Sequence, residues 1–230
     1  MSEHDFPRLS ELQVISVRLN SPNAYFQAAD TKFTDPLKRR YFLRIEEDLR
    51  SLDPDAWDAL RNVAAQRLIR TKDRGWQPLF DALNEAKAYN HLVSIGCTSV
   101  KFIPRSKKQG GRTPDLQAMS NSVLTFCEVK TINLSAVEIE RLRSSGIGTT
   151  LLEVEDGLLN KITSDLHNAH DQMNKFYPAN DARRIIYMIV NFDNNFDMAW
   201  KYQNQVRAHV DKVRPLGVEV VLFFKPPFER

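Results

Sequence analysis

Apolar positions fall at helical spacing through roughly the first third of the chain, and residues 1 to about 75 read as mostly helical. In "SLDPDAWDALRNVAAQRLIR", Asp53 is placed as an N-cap with Pro54 in the first helical position. Trp57, Leu60, Val63, Ala64 and Leu68 then follow one helix face. Gly75 and Pro78 punctuate the chain, and a boundary is expected there, with a helical extension over 1–77 and a second domain over 78–230. "PLFDALNEAKAYNHLVSIG" reads as an amphipathic helix with Leu79, Leu83, Ala86, Asn90 and Val93 along one side and Gly96 at its end. "TSVKFIP" is a short strand, "PDLQAM" leads into a second, and "SVLTFCEVKTI" is the strongest strand pattern in the chain. A polar stretch over 133–148 precedes a long helix over 157–177, striped by Leu158, Leu159, Ile162, Leu166, Met173 and Phe176. "ARRIIYMIVNFD" is nearly all apolar, as suits a strand covered on both faces. A helix over 196–213 and the strand "VEVVLFF" complete an α/β layout, a mixed sheet between helices.

Composition changes this picture little: 42% hydrophobic and 27% charged residues over 230 positions are enough for an ordinary buried core. The formal charge of +3 argues neither for nor against an anionic partner. Its distribution says more. Lys101, Arg105, Lys107, Lys108 and Arg112 fall within twelve residues that hold no acid, and the run from Arg61 to Arg74 is broken only by Asp73. Such runs can meet phosphates or be solvated surface. Two cysteines without metal-type spacing exclude a disulfide framework, and the first residues lack the apolar core of a signal peptide. No run reaches membrane-spanning length. A cytoplasmic protein with reduced thiols is expected.

The chemistry gathers at one strand end. Side chains alternate across a strand, so Leu124, Phe126, Glu128 and Lys130 share one face of "VLTFCEVKT" while Val123, Thr125, Cys127 and Val129 share the other. Val129 is therefore expected to turn into the core between Glu128 and Lys130. If the preceding strand pairs with this one as a hairpin, Asp115 comes beside them. Two carboxylates and a lysine on adjacent strands form a hard-oxygen site suited to Mg²⁺ or Mn²⁺. A surface salt-bridge cluster is the competing reading.

Pro114-Asp115 followed by Glu128-Val129-Lys130 resembles the signature of the PD-(D/E)xK nuclease superfamily, and the resemblance covers about residues 78 to 224, including the order of elements. It implies a restriction-endonuclease-like fold, an αβββαβ core with a mixed central sheet flanked by helices, here behind a helical N-terminal extension. The triplet alone is weak. Asp30-Thr31-Lys32 and Glu85-Ala86-Lys87 have the same spacing, and Pro54-Asp55 repeats the first pair. Context separates them, because a two-residue step on a helix sends side chains to nearly opposite faces, and Asp55 at a helix start suits the helix dipole.

The resemblance implies a metal-dependent nuclease acting on a nucleic acid, DNA before RNA. It places a divalent ion on Asp115, Glu128 and the Val129 carbonyl, and matches Glu85 to the family's glutamate on the first helix. Gln172, with Phe176 and Tyr177 a turn later, is similar to a glutamine-aromatic pair of some members and would position phosphate. Lys130, flanked by two carboxylates, is expected to orient the attacking water and stabilise phosphate charge; the general-base role that the family resemblance implies stays open if a bound ion offsets the acids. Arg105, Lys107, Lys108 and Arg112 would then line the phosphate path into Asp115. A homodimer is also allowed, because many such nucleases pair two active sites. A non-cleaving nucleic-acid-binding or assembly protein on the same fold is the alternative, as is an interaction protein using the long 157–177 helix.

Weaker constellations remain. His167 and His170 lack a third metal ligand, and Gly146-Ile147-Gly148 has no strand before it. Cys127 lies on the core parity as a small hydrophobe. Trp57, Trp76 and Trp200 are expected to pack, with Trp76 able to stack on a base.

Overall fold

The structure, a computed structural model, describes residues 5–27, 35–104, 113–133, 154, 156–191 and 199–225. The chain divides into two compact units, one running to Pro104 and the other from Arg105 to Phe228.

The first unit carries helices α1 (Pro7–Arg18), α2 (Pro36–Arg50), α3 (Pro54–Ala65) and α4 (Gln77–Ser94) and strand β1 (Thr98–Phe102). Helix starts are set by local chemistry. Asp53 caps α3 by accepting the Ala56 N–H at 2.8 Å, and its other carboxylate oxygen accepts the Tyr89 hydroxyl at 2.7 Å. The orphan N–H groups of α1 are met from a distance: Glu46 on α2 accepts from Arg8 and Leu9 at 3.0 and 2.9 Å. Burial pushes the Glu46 carboxyl above its ordinary range, against the pull of those two N–H groups and Arg50. The Asp48 carboxylate pairs with Lys87, and the Asp48 carbonyl accepts from Asn90 at 3.0 Å, fastening α4 to α2. The buried face of α4 is wider than its sequence stripe. Asn84, Glu85 and Tyr89 are buried with Leu79 and Leu83, whereas Val93 is 50% exposed. A helix packed on several sides no longer obeys a single-stripe pattern.

In the second unit β2 (Leu116–Ser120) and β3 (Val123–Ile132) form an antiparallel hairpin, with Leu116 opposite Cys127 and Ser120 opposite Val123. Its turn residues Asn121 and Ser122 both have positive φ, 48° and 66°, as a two-residue type I′ turn requires. β3 runs parallel to β4 (Arg183–Asn191), and β4 parallel to β5 (Glu219–Lys225). Parallel neighbours need crossovers, and the helices α5 (Asp156–Phe176) and α6 (Ala199–Val213) lie between those strands in sequence. Residues 184–190 of β4 are all buried, the fate its apolar run predicted. α5 buries Ile162, Leu166, Ala169 and Met173, while Phe176 is 39% exposed. Trp200 departs from the packing expected of it. It is 65% exposed, because the buried stripe of α6 is Tyr202, Val206 and Val210 and a step of two residues points Trp200 the other way. The chain is an α/β protein with a mixed sheet, as its pattern predicted. Among the described residues no helix is long and apolar enough to cross a membrane.

Candidate active site

The hairpin register positions the acids. Leu116 faces Cys127, so continuing the ladder by one step sets Asp115 opposite Glu128. Asp115 Oδ2 accepts the Val129 N–H at 2.8 Å, which ties its carboxylate to the strand carrying Glu128 and Lys130. Val129 itself is half-buried rather than turned into the core. It is paired with Tyr187 on β4 but lies past the last β2 pairing, Leu116 with Cys127, and its contribution here is the main chain.

Glu128 is the centre of the cluster and is only 3% exposed. The Lys130 ammonium sits 2.7 Å from Oε1. Gln172, reaching in from α5, donates from Nε2 to Oε2 at 2.7 Å and to the Thr113 carbonyl at 2.7 Å. Each Glu128 oxygen thus has a donor, and the carboxylate cannot rotate without losing one. Burial, followed by the charge of Asp115, pushes the Glu128 carboxyl up to about 7, against the opposing pull of Lys130 and Gln172. The group is a water-poor carboxylate beside a second carboxylate, and added positive charge would relieve both causes.

Asp115, Glu128, Lys130, Gln172 and the Val129 main chain are therefore gathered at one strand end. Gln172 thus meets an acid 44 positions away, a contact that its place in the sequence did not announce. Its aromatic companions do something else: Phe176 and Tyr177 pack on Phe126 with ring centroids 5.4 Å away in each case, and the Tyr177 hydroxyl bonds to Asp181. Glu85 belongs to the first unit. It is buried on α4, with the Arg67 guanidinium 4.0 Å from Oε1. On the same helix Lys87 pairs with Asp48, so the two ends of that acid-x-lysine triplet have separate partners. Arg105, Lys107, Lys108 and Arg112 lie outside the described residues, as do Asp30, Lys32 and the Gly146–Gly148 segment.

His170 bonds to Asn174 at 2.9 Å and His167 is exposed. Among the described residues no group of three or more His, Cys, Asp or Glu side chains could hold a metal ion. The hairpin offers two carboxylates, and that donor set fits a hard ion such as Mg²⁺, which is commonly held by one or two carboxylates and keeps several waters. Two partners escaped the sequence. The Thr113 carbonyl that anchors Gln172 carries no sequence signal, because any residue supplies one. Arg67 could have been singled out only as one member of a basic run.

Comparisons of the chain with family models, curated proteins and solved structures find no match.

Proposed function

We propose that the chain is a metal-dependent nuclease that hydrolyses phosphodiester bonds of DNA on a restriction-endonuclease-like fold, with Asp115, Glu128 and Lys130 at its centre. The observation that carries this reading is the meeting of two carboxylates and an ammonium at the paired ends of β2 and β3, with Gln172 fixing the buried one. A salt bridge made only for stability would not bury a carboxylate next to another acid, since like charge and desolvation both oppose it. The PD-(D/E)xK resemblance adds the reaction and the substrate class.

Asp115, Glu128 and the Val129 carbonyl would hold the ion, with Mg²⁺ or Mn²⁺ the fitting choices. The ion supplies a Lewis acid for the phosphate and lowers the pKa of a bound water. The remaining work falls to the side chains. Gln172 and Lys130 fix the Glu128 carboxylate from its two sides. Lys130 orients the attacking water and offsets the charge that builds on the phosphoryl oxygens.

The test is incubation of purified protein with plasmid, linear duplex and single-stranded DNA in Mg²⁺, Mn²⁺ or EDTA, alongside Asp115→Ala and Lys130→Ala. Metal-dependent cleavage lost in both folded variants is the expected outcome, and the products separate endo- from exonucleolytic action. Folded wild type that cuts none of these substrates would overturn the reading in favour of a non-cleaving nucleic-acid-binding protein.

A further inference from the structure

The end of the second basic run, Ile69 to Arg74, forms an exposed turn in the first unit. All six residues are exposed, yet the turn is firmly built. Isolated bridges join Ala24 to Ile69 and Thr71 to Gly75, and the latter pair exchanges two backbone hydrogen bonds of 2.9 and 3.1 Å. The Arg70 N–H donates to the Asn23 carbonyl at 3.0 Å, and Gly75 closes the turn at φ +57°, a conformation that favours glycine. Little of this serves a core, since Arg70, Lys72, Asp73 and Arg74 all face solvent.

One side chain is held in place with special care. The Arg70 guanidinium lies 5.3 Å from the centroid of the Trp76 ring. That ring is itself fixed, by donation from Nε1 to the Asn23 carbonyl at 2.9 Å and by an edge contact with Tyr25 at 5.4 Å. Trp76 is therefore a platform for an arginine rather than an open surface for a base. Stacking uses the face of a guanidinium and leaves its N–H fork, the part that fits phosphate oxygens, at the edge. Among the described residues the Arg70 fork and the Lys72 ammonium have no hydrogen-bond or ion-pair partner. Arg74, by contrast, is held by Asp81 at 2.6 Å.

We propose that the 69–75 turn is a nucleic-acid contact in which Arg70, pre-oriented on Trp76, and Lys72 bind backbone phosphate. This rests on the nuclease reading and extends it to a surface that the acid-lysine site does not include. Arginine held on an aromatic gives up little freedom on binding, and the turn offers only Ile69 as an exposed apolar side chain, at 39%, which suits a phosphate backbone better than a lipid interior.

The test uses the full chain in EDTA, which separates binding from cleavage. Anisotropy of labelled duplex and single-stranded oligonucleotides is titrated over a range of salt for wild type, Arg70→Gln/Lys72→Gln, Arg70→Lys, and Lys212→Gln/Arg214→Gln. The last variant removes the same charge from exposed positions in the second unit. Loss of two phosphate contacts is expected to weaken duplex binding by about tenfold or more at 0.1 M salt. It should also make the salt slope shallower by about 2, at roughly 0.9 per contact. Arg70→Lys should recover the slope and only part of the affinity, and the control pair should change neither. Affinity and slope unchanged in Arg70→Gln/Lys72→Gln, with wild type still binding, would overturn the turn's role and leave the nuclease reading standing. Wild type that binds anionic vesicles but no oligonucleotide would overturn the turn's role, and the cleavage assay in Mg²⁺ or Mn²⁺ decides the nuclease reading separately.

Discussion

At the residue scale the decisive group is Glu128, whose carboxyl is pushed up to about 7 by burial and the Asp115 charge. The sign of the consequence follows from proton counting. Between the ordinary glutamate range near 4.5 and about 7 the folded state binds the extra proton, so stability of the metal-free protein falls as pH rises through that window and levels off above it. The full contribution is on the order of 3 kcal/mol. Thermal melts in EDTA from pH 4.5 to 8.5 should show wild type losing that stability relative to Glu128→Gln, and the difference between the two should be flat above about pH 8. Asp115→Asn keeps an acceptor for the Val129 N–H but removes the neighbouring charge, so it should move the window toward lower pH.

Glu128 and Lys130 are also where the sequence was most legible. Period-two alternation put them on one face, and the hairpin that brings in Asp115 needed only the strand pattern and a two-residue turn. Gln172 was harder, because a glutamine on a helix has no periodic signature, and only its contacts with Glu128 and Thr113 separate it from any solvated polar residue. Val129 and Trp200 show the limit of local pattern. How far a strand runs past its neighbour and which helix face meets the sheet are tertiary facts, and they left Val129 half-buried and Trp200 exposed.

At the element scale, the end of α5 depends on a residue from the next strand. Arg184, buried at the start of β4, donates to the carbonyls of Tyr177, Ala179 and Ala182 at 2.7 to 3.1 Å. It thereby satisfies carbonyls just past the helix terminus, where the helix dipole also favours a cation. Arg184→Met would leave these acceptors short of partners and should cost about 3 kcal/mol in urea unfolding. Because the same helix delivers Gln172, the folded fraction of that variant should also bind Mn²⁺ more weakly. Unchanged stability would show that the loop over 177–182 finds other donors. α3 was readable from sequence to its cap because Asp53 and Pro54 act locally. The start of α1 was not readable, because its cap is Glu46, 38 residues from Arg8.

At the scale of the whole molecule, a net charge of +3 gives no strong attraction to a polyanion, so any binding must come from placed cations rather than from the overall field. The same holds for the divalent ion of the proposed function: its affinity would rest on the Asp115 and Glu128 carboxylates, which are already side by side. An ion bound only by the folded state stabilises it by mass action, about 2.7 kcal/mol at a hundred times Kd. Mn²⁺ should raise the melting temperature of wild type in proportion to the logarithm of its concentration above Kd, and leave Asp115→Ala unmoved. An equal rise in both proteins would place the ion elsewhere.

The β2–β3 hairpin also bears on the order of events as the chain folds. Asp115 meets Val129 across 14 residues through a tight turn, whereas Glu128 and Gln172 are 44 apart and Thr125 pairs with Arg183 across a whole helix. Short loops close far sooner than parallel pairings form. The two acids therefore meet while the strand is still wet on the side that α5 will cover, when their mutual repulsion is weakest. Pairing with β4 and docking of the helix then bury the site, and Gln172 arrives with the helix.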